Sequence, residues 1–178
     1  MPVKHQRGFS LISIVLSIIL MSFALLTVTT SLVPKSQQNV ELIYSTKAAE
    51  LGAAVMDEIL GRQFDQNSGP NGGLPECGSP TGKPCTLPGV LKPEAGETDR
   101  TLFNDVDDFD GLSGNVQDVL GDDLGSVYPN FSISISVFYD ANLDGIADTV
   151  SGNRKRIVVD VIDPSGQHYP FSVFRGNF

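Results

Sequence analysis

Lys4-His-Gln-Arg-Gly-Phe-Ser-Leu-Ile-Ser13 opens into an apolar stretch that runs to Val33. Residues 9–33 carry no charged side chain. A helix of that length spans about 37 Å at ~1.5 Å per residue, more than the ~30 Å of a bilayer's hydrocarbon core. Lys4 and Arg7 precede the run, and only Lys35 follows closely. That asymmetry of positive charge predicts a cytoplasmic N-terminus with the remainder of the chain on the other side. A cleavable secretory signal competes with this reading, but its apolar core is typically only ~7–15 residues long. A plain single-pass anchor is the other alternative.

The helical pattern continues past the apolar run. Val40, Ile43, Tyr44, Ala48, Leu51, Val55 and Ile59 recur at spacings of three and four, one face of an amphipathic helix over residues 37–60. Gly61 is a plausible stop, and Pro34 predicts a bend, or a break at residues 34–36, between the two halves. The last third reads as β. Phe131, Ile133, Ile135 and Val137 alternate with serines. Residues 157–162 and 169–174 form two more strands, joined by the turn Asp163-Pro-Ser-Gly166. Residues 62–129 are rich in Gly, Pro, Asn and Asp and predict loops. The expected architecture is α+β: a long N-terminal helix, membrane-spanning in its first half, packed on a small antiparallel sheet. The organisation is a leader over 1–8, a membrane helix over 9–33 and its amphipathic continuation over 34–61. An irregular region over 62–129 and a β-meander over 130–178 follow.

The segment Arg7-Gly-Phe-Ser-Leu-Ile12, a basic leader of eight residues ending in Gly-Phe before an immediate apolar span, resembles the prepilin leader of type IV pilins and type II secretion pseudopilins. The resemblance implies cleavage between Gly8 and Phe9 by a prepilin peptidase, with N-methylation of Phe9. It also implies a pilin-like fold, other pilin subunits and an inner-membrane assembly platform as partners, and passage from the inner membrane, with the C-terminal domain periplasmic, into an extracellular pilus. The family usually carries Glu as the fifth mature residue, where this chain has Ser13. In the family that carboxylate neutralises the N-terminal ammonium of a neighbouring subunit, and a serine hydroxyl is only a weak substitute acceptor. Ser13 therefore implies a minor subunit at a tip or initiating position, with drift in a low-copy subunit as the alternative. The acidic phrase Asn104-Asp-Val-Asp-Asp-Phe-Asp-Gly-Leu112 and the ending Phe174-Arg-Gly-Asn-Phe178 resemble minor pilins of the mannose-sensitive haemagglutinin (MSHA) type, which implies a role in pilus biogenesis and surface adhesion. In the acidic phrase Phe109 reads as an aromatic anchor, or the whole segment reads as a solvated acidic loop. A secretion pseudopilin is the alternative within this machinery. A membrane-anchored calcium-dependent adhesin or sensor that never polymerises is the alternative outside it.

The chain has 178 residues and a net charge of −9, and losing Lys4 and Arg7 with the leader makes it two units more negative. Such an acidic domain lacks the basic footprint of a nucleic-acid binder. Its only basic cluster, Arg154-Lys-Arg156, sits at a strand start, where a solvated edge is expected. Cys77 and Cys85 lie in a Pro/Gly-rich loop. An outward-facing domain meets an oxidising milieu, so a disulfide is favoured, contributing less than the roughly 2.5 kcal/mol of loop entropy because Pro80 and Pro84 already stiffen the loop. A metal pair is disfavoured, because two thiolates without a nearby His make a poor zinc site.

Asp140, Asn142, Asp144 and Asp148 place oxygens at relative positions 1, 3, 5 and 9, with Gly145 at position 6 and the carbonyl of Ile146 at position 7. This is the spacing of a calcium loop. Ser151 stands where the bidentate Glu would be, and Asp107, Asp108 and Asp110 are candidates for the missing ligand. An Asp-Gly hairpin turn is the competing reading. Apart from this Ca²⁺ no cofactor is expected, and no catalytic constellation stands out. His168 is the only histidine beyond the leader. The Gly78-Ser-Pro-Thr-Gly-Lys-Pro84 run is one residue short of a phosphate loop and has Pro84 where Ser or Thr would hold Mg²⁺. The chain is not expected to be an enzyme.

Overall fold

The structure, a computed structural model, describes residues 10–69, 73–117 and 122–178, with only the backbone of 31–39 described. A 50-residue helix, α1 (Leu11–Leu60), runs through Pro34 without interruption and stops directly before Gly61. The continuous rod is the expected form, and the alternative of two helices broken at residues 34–36 is not what the backbone shows. Two compact units adjoin within α1, at Ile43 and Tyr44.

In the N-terminal unit, Leu11–Thr30 is long and apolar enough to cross a membrane, and none of it is buried. Five of its hydroxyl side chains are turned back on the helix. Ser17 donates to the carbonyl of Ser13 (2.7 Å), Ser22 to that of Ile18 (2.8 Å) and Thr30 to that of Leu26 (2.9 Å). Thr27 and Thr29 do the same. Hydroxyls satisfied in this way can face lipid without an orphaned donor.

The C-terminal unit holds the last turns of α1 and a four-stranded antiparallel sheet in the order β1-β2-β3-β4. The strands are β1 (Ser113–Asn115), β2 (Ser132–Tyr139), β3 (Arg154–Ile162) and β4 (His168–Gly176). β1 and two short 3-10 helices, Arg100–Leu102 and Asp107–Phe109, fall in the region expected to be irregular. β3 begins three residues earlier than its apolar run, because pairing with β2 carries it back to Lys155 and pairing with β4 to Arg154.

Period-two alternation lines one face of the sheet with rows of paired residues. The rows are Ile133–Val161–Tyr169, Ile135–Val159–Phe171 and Val137–Ile157–Val173. They form one core with Ala48, Leu51, Val55 and Ile59 of α1. Each fully buried Val or Ile contributes about 1.5–3 kcal/mol by its removal from water. A Cβ at Gly52 would lie 2.5 Å from ring carbons of Phe171, so glycine lets α1 approach β4 this closely. The apolar stripe of α1 is shorter than its spacing implies. Tyr44 is the first residue packed on this core, while Val40 and Ile43 are exposed.

The β3–β4 turn is the one expected. Gly166 takes a φ of 84° and donates to the carbonyl of Asp163 (2.9 Å). Cys77 and Cys85 form a disulfide with Cα atoms 4.9 Å apart. They pack with Phe64, Leu91 and Tyr139 in a second, smaller core.

Candidate functional site

The fourth row of the sheet breaks the apolar pattern, pairing Tyr139 with Lys155 and Lys155 with Arg175. Lys155 is not part of a solvated edge. It shares a face with Ile157, and its side chain is fully buried. Its Nζ donates to the carbonyl of Phe64 (2.8 Å), to Asp65 Oδ2 (3.1 Å) and to Asp107 (2.7 Å). The rings of Phe64 and Tyr139 flank it, with centroids 4.3 Å and 5.0 Å away. All three ammonium protons are therefore used, which a buried lysine requires if it is to stay charged. Asp65 is held in turn by the amides of Asn67 (2.9 Å) and Thr86 (2.8 Å). The Tyr139 hydroxyl donates to the carbonyl of Thr86 (2.7 Å). Arg156, on the opposite face, lies 3.3 Å from Asp140 Oδ2, and Arg154 donates to the carbonyl of Ala141 (3.3 Å). The basic triplet is thus divided between core and loop and forms no open patch.

The acidic segment is likewise not solvated. Asp105, Asp107, Asp108 and Phe109 are all buried. Phe109 acts as the expected anchor, edge-on to Phe103 with ring centroids 5.1 Å apart. Asp108 Oδ2 accepts from the amides of Asn104 (2.7 Å) and Asp105 (3.0 Å), and Asp105 Oδ1 from that of Asp107 (2.7 Å). Glu97 Oε2 accepts from the Glu94 amide (3.0 Å) and Glu97 Oε1 from the Asn104 side chain, which brings a neighbouring loop alongside. Asp110 caps the sheet by accepting from the amide of Val137 (2.8 Å).

Crowding of these carboxylates raises their proton affinity. Burial, then a hydrogen bond to Glu97 and the charges of Asp105 and Asp108, pushes Glu94 up to about 8. Burial and the charge of Asp108 push Asp105 to about 6, against the Asp107 amide and Lys155. Burial also raises Asp107, with Lys155 opposing it. The sequence marks these residues as acidic, but Glu94 stands outside the acidic run and Asp65 lies far from it along the chain. Only an extension of the β3 alternation back from Ile157 would have flagged Lys155 as inward-facing.

The loop of residues 140–153 connects β2 and β3. Its carboxylates serve the loop itself. Asp140 accepts from the amides of Asp144 and Gly145 (3.1 Å each), Asp144 Oδ1 from that of Ile146 (2.8 Å) and Asp148 Oδ2 from that of Ala141 (2.7 Å). Asn142 donates to Asp144 Oδ2 (2.8 Å). Asp140 is buried, whereas Asn142, Asp144 and Ile146 are exposed. Among the described residues, the acidic groups close enough to share one ion do not include Asp140, Asp144 or Asp148. Asp107, Asp108 and Asp110, the candidate extra ligands, are engaged as described above and are not gathered with this loop.

No family model, curated protein or solved structure matches the chain. Its functional reading rests on its own residues and geometry. Gly8 and Phe9 lie outside the described residues. Ser13 is exposed in the first turns of α1, and its amide donates to the carbonyl of Ser10 (2.9 Å).

Proposed function

We propose that the chain is a minor pilin of a type IV, MSHA-like pilus, matured by a prepilin peptidase at Gly8–Phe9 and incorporated at low copy or at the tip. The observation that carries this reading is the junction at residues 7–9, a basic leader ending in Gly-Phe immediately before a membrane-length apolar helix. The uninterrupted course of α1 from that segment to Leu60 supports it, as does the α+β layout of the C-terminal unit. The mechanism is a change of apolar surroundings. Before assembly, lipid covers Leu11–Thr30; within a filament, the corresponding helices of other subunits take its place. The back-bonded hydroxyls of that helix suit both environments, because neither supplies water. Ser13 offers no charge to a neighbour's N-terminal ammonium, which favours a position where none has to be neutralised.

Processing is the test. Chain recovered from sheared filaments should begin with N-methylated Phe9 on Edman degradation, at far lower abundance than the main subunit. Gly8→Ala should leave the leader attached and remove the chain from filaments. Native material that starts at Met1 or Pro2, or a Gly8→Ala variant that behaves as wild type, rules the reading out in favour of a non-polymerising membrane anchor.

A further inference from the structure

Two clusters of carboxylates share Asp105. In the first, Asp65, Asp105 and Asp107, the chain itself supplies a cation, the ammonium of Lys155, which pairs with Asp65 and Asp107. The second consists of Glu94, Asp105 and Asp108, whose ligand oxygens lie within 4.8 Å of one another. Among the described residues, no lysine, arginine or histidine forms an ion pair with any of these three. Lys155 has spent its three donors elsewhere.

The orientation of the carboxylates points the same way. Asp105 and Asp108 are 0% and 1% exposed. Asp105 Oδ2, Asp108 Oδ1 and Glu94 Oε2 are nevertheless buried without a hydrogen-bond donor. The amide donors in reach are spent on the other oxygens of Asp105 and Asp108, which fixes both carboxylates and leaves one oxygen of each free. A buried acceptor without a donor costs about 1–3 kcal/mol, and more when it is charged. Three in one cluster hold either shared protons, in line with the rise of Glu94 to about 8, or a counter-ion in their place.

We propose that Glu94, Asp105 and Asp108 bind a calcium ion that joins the loop of residues 94–97 to the buried turn of residues 105–108. Every donor is a hard oxygen, with no nitrogen or thiolate in the set, which disfavours zinc and copper. Oxygens that share one Ca²⁺ ion at ~2.4 Å each lie no more than about 4.8 Å apart, and the three carboxylates meet that limit. The irregular donor set suits calcium, which tolerates six to eight oxygens in variable geometry, better than octahedral Mg²⁺. Glu97 is a positioning residue. It accepts from the Glu94 amide and the Asn104 side chain and so holds the two segments side by side. This site differs from the loop of residues 140–148, whose carboxylates are already engaged by its own amides. It makes no use of the membrane helix and stands or falls independently of the pilus assignment.

The full chain, purified in detergent and stripped of metal by a chelator, is titrated with CaCl₂ and separately with MgCl₂ by calorimetry, and melted with and without each ion. One saturable calcium event with Kd at or below about 1 mM is expected, with a rise in Tm of roughly 5 °C at saturation and at least tenfold weaker Mg²⁺ binding. Glu94→Gln should weaken calcium binding at least tenfold. In calcium-free buffer the same variant should melt no lower than wild type, because it loses a repelled carboxylate, and this shows that it is folded. Asp144→Asn should bind as wild type does. The proposal is overturned by absence of heat and of any Tm change, which would mean that shared protons alone hold the cluster. It is equally overturned by Mg²⁺ binding as tight as Ca²⁺, or by calcium binding that survives Glu94→Gln and is lost in Asp144→Asn.

Discussion

Lys155 has aspartates on two sides and aromatic rings around it, with no exposure to water. A buried ion pair of this kind adds little net stability over a well-packed apolar replacement, but breaking it by removing one partner is expensive. Lys155→Met should therefore cost about 3–5 kcal/mol in urea denaturation, because Asp65 and Asp107 are left buried without their cation. Adding Asp107→Asn should recover part of that loss, and a double-mutant cycle measures the coupling. A double variant no more stable than Lys155→Met alone would show that Asp107 is not the partner that matters. The inward direction of Lys155 was legible in principle. Positions 155, 157, 159 and 161 share a face of β3, and a strand extended two residues back from Ile157 reaches the lysine. A charge at a strand start nevertheless normally faces solvent. What reverses that here is the arrival of Asp65 and Asp107 over the same row, from ~50 to ~90 residues away in the chain, a long-range event that alternation does not encode.

Among the elements, β2, β3, β4 and the β3–β4 turn follow from alternation and turn chemistry, with boundaries displaced by one to three residues. β1 has three residues and no apolar alternation, so only its pairing with β2 reveals it. The β3–β4 turn also carries a pH signature. Asp163 Oδ1 accepts from the amides of Ser165 (2.8 Å) and Gln167 (3.0 Å) and from the Ser165 hydroxyl (2.6 Å). Burial alone would raise this carboxyl, but the donors from Ser165, Gln167 and Tyr169 outweigh it and hold it below its usual 3.8. A depressed pKa means that the unfolded chain binds the proton first, so the contribution to stability is present above the usual value and is lost as pH falls through the folded one. In urea denaturation between pH 5 and pH 2, wild type should lose more stability than Asp163→Asn, and the excess should develop below about pH 4. Parallel curves for the two proteins would contradict this account of the turn.

At the scale of the whole molecule, the unit boundary at Ile43 and Tyr44 separates two ways of hiding apolar surface. Leu11, Ile12, Phe23 and their neighbours are exposed in the isolated chain and need lipid or other subunits. From Tyr44 onward the apolar side chains of α1 find partners in the chain's own sheet. A fragment of residues 44–178 should therefore purify without detergent as a cooperatively unfolding monomer, while the full chain should require detergent. Sedimentation and thermal melts of both check this, and an aggregated or non-cooperative fragment would show that the C-terminal unit depends on residues before Tyr44.

The membrane-length helix, the Gly-Phe junction, three of the four strands and the cysteine pair are all properties of residues close together in sequence. Partition into lipid sums over adjacent side chains, strand faces follow a period of two, and a short loop closes at small entropic cost. The buried lysine and the two carboxylate clusters arise differently. Glu94, Asp105 and Asp108 share one small space, and Asp65, Asp107 and Lys155 another, because the packing of α1, the 3-10 turns and the sheet brings distant segments over the same end of β3. A side chain's burial and its partners are set by such neighbours, and no local pattern of residues contains them.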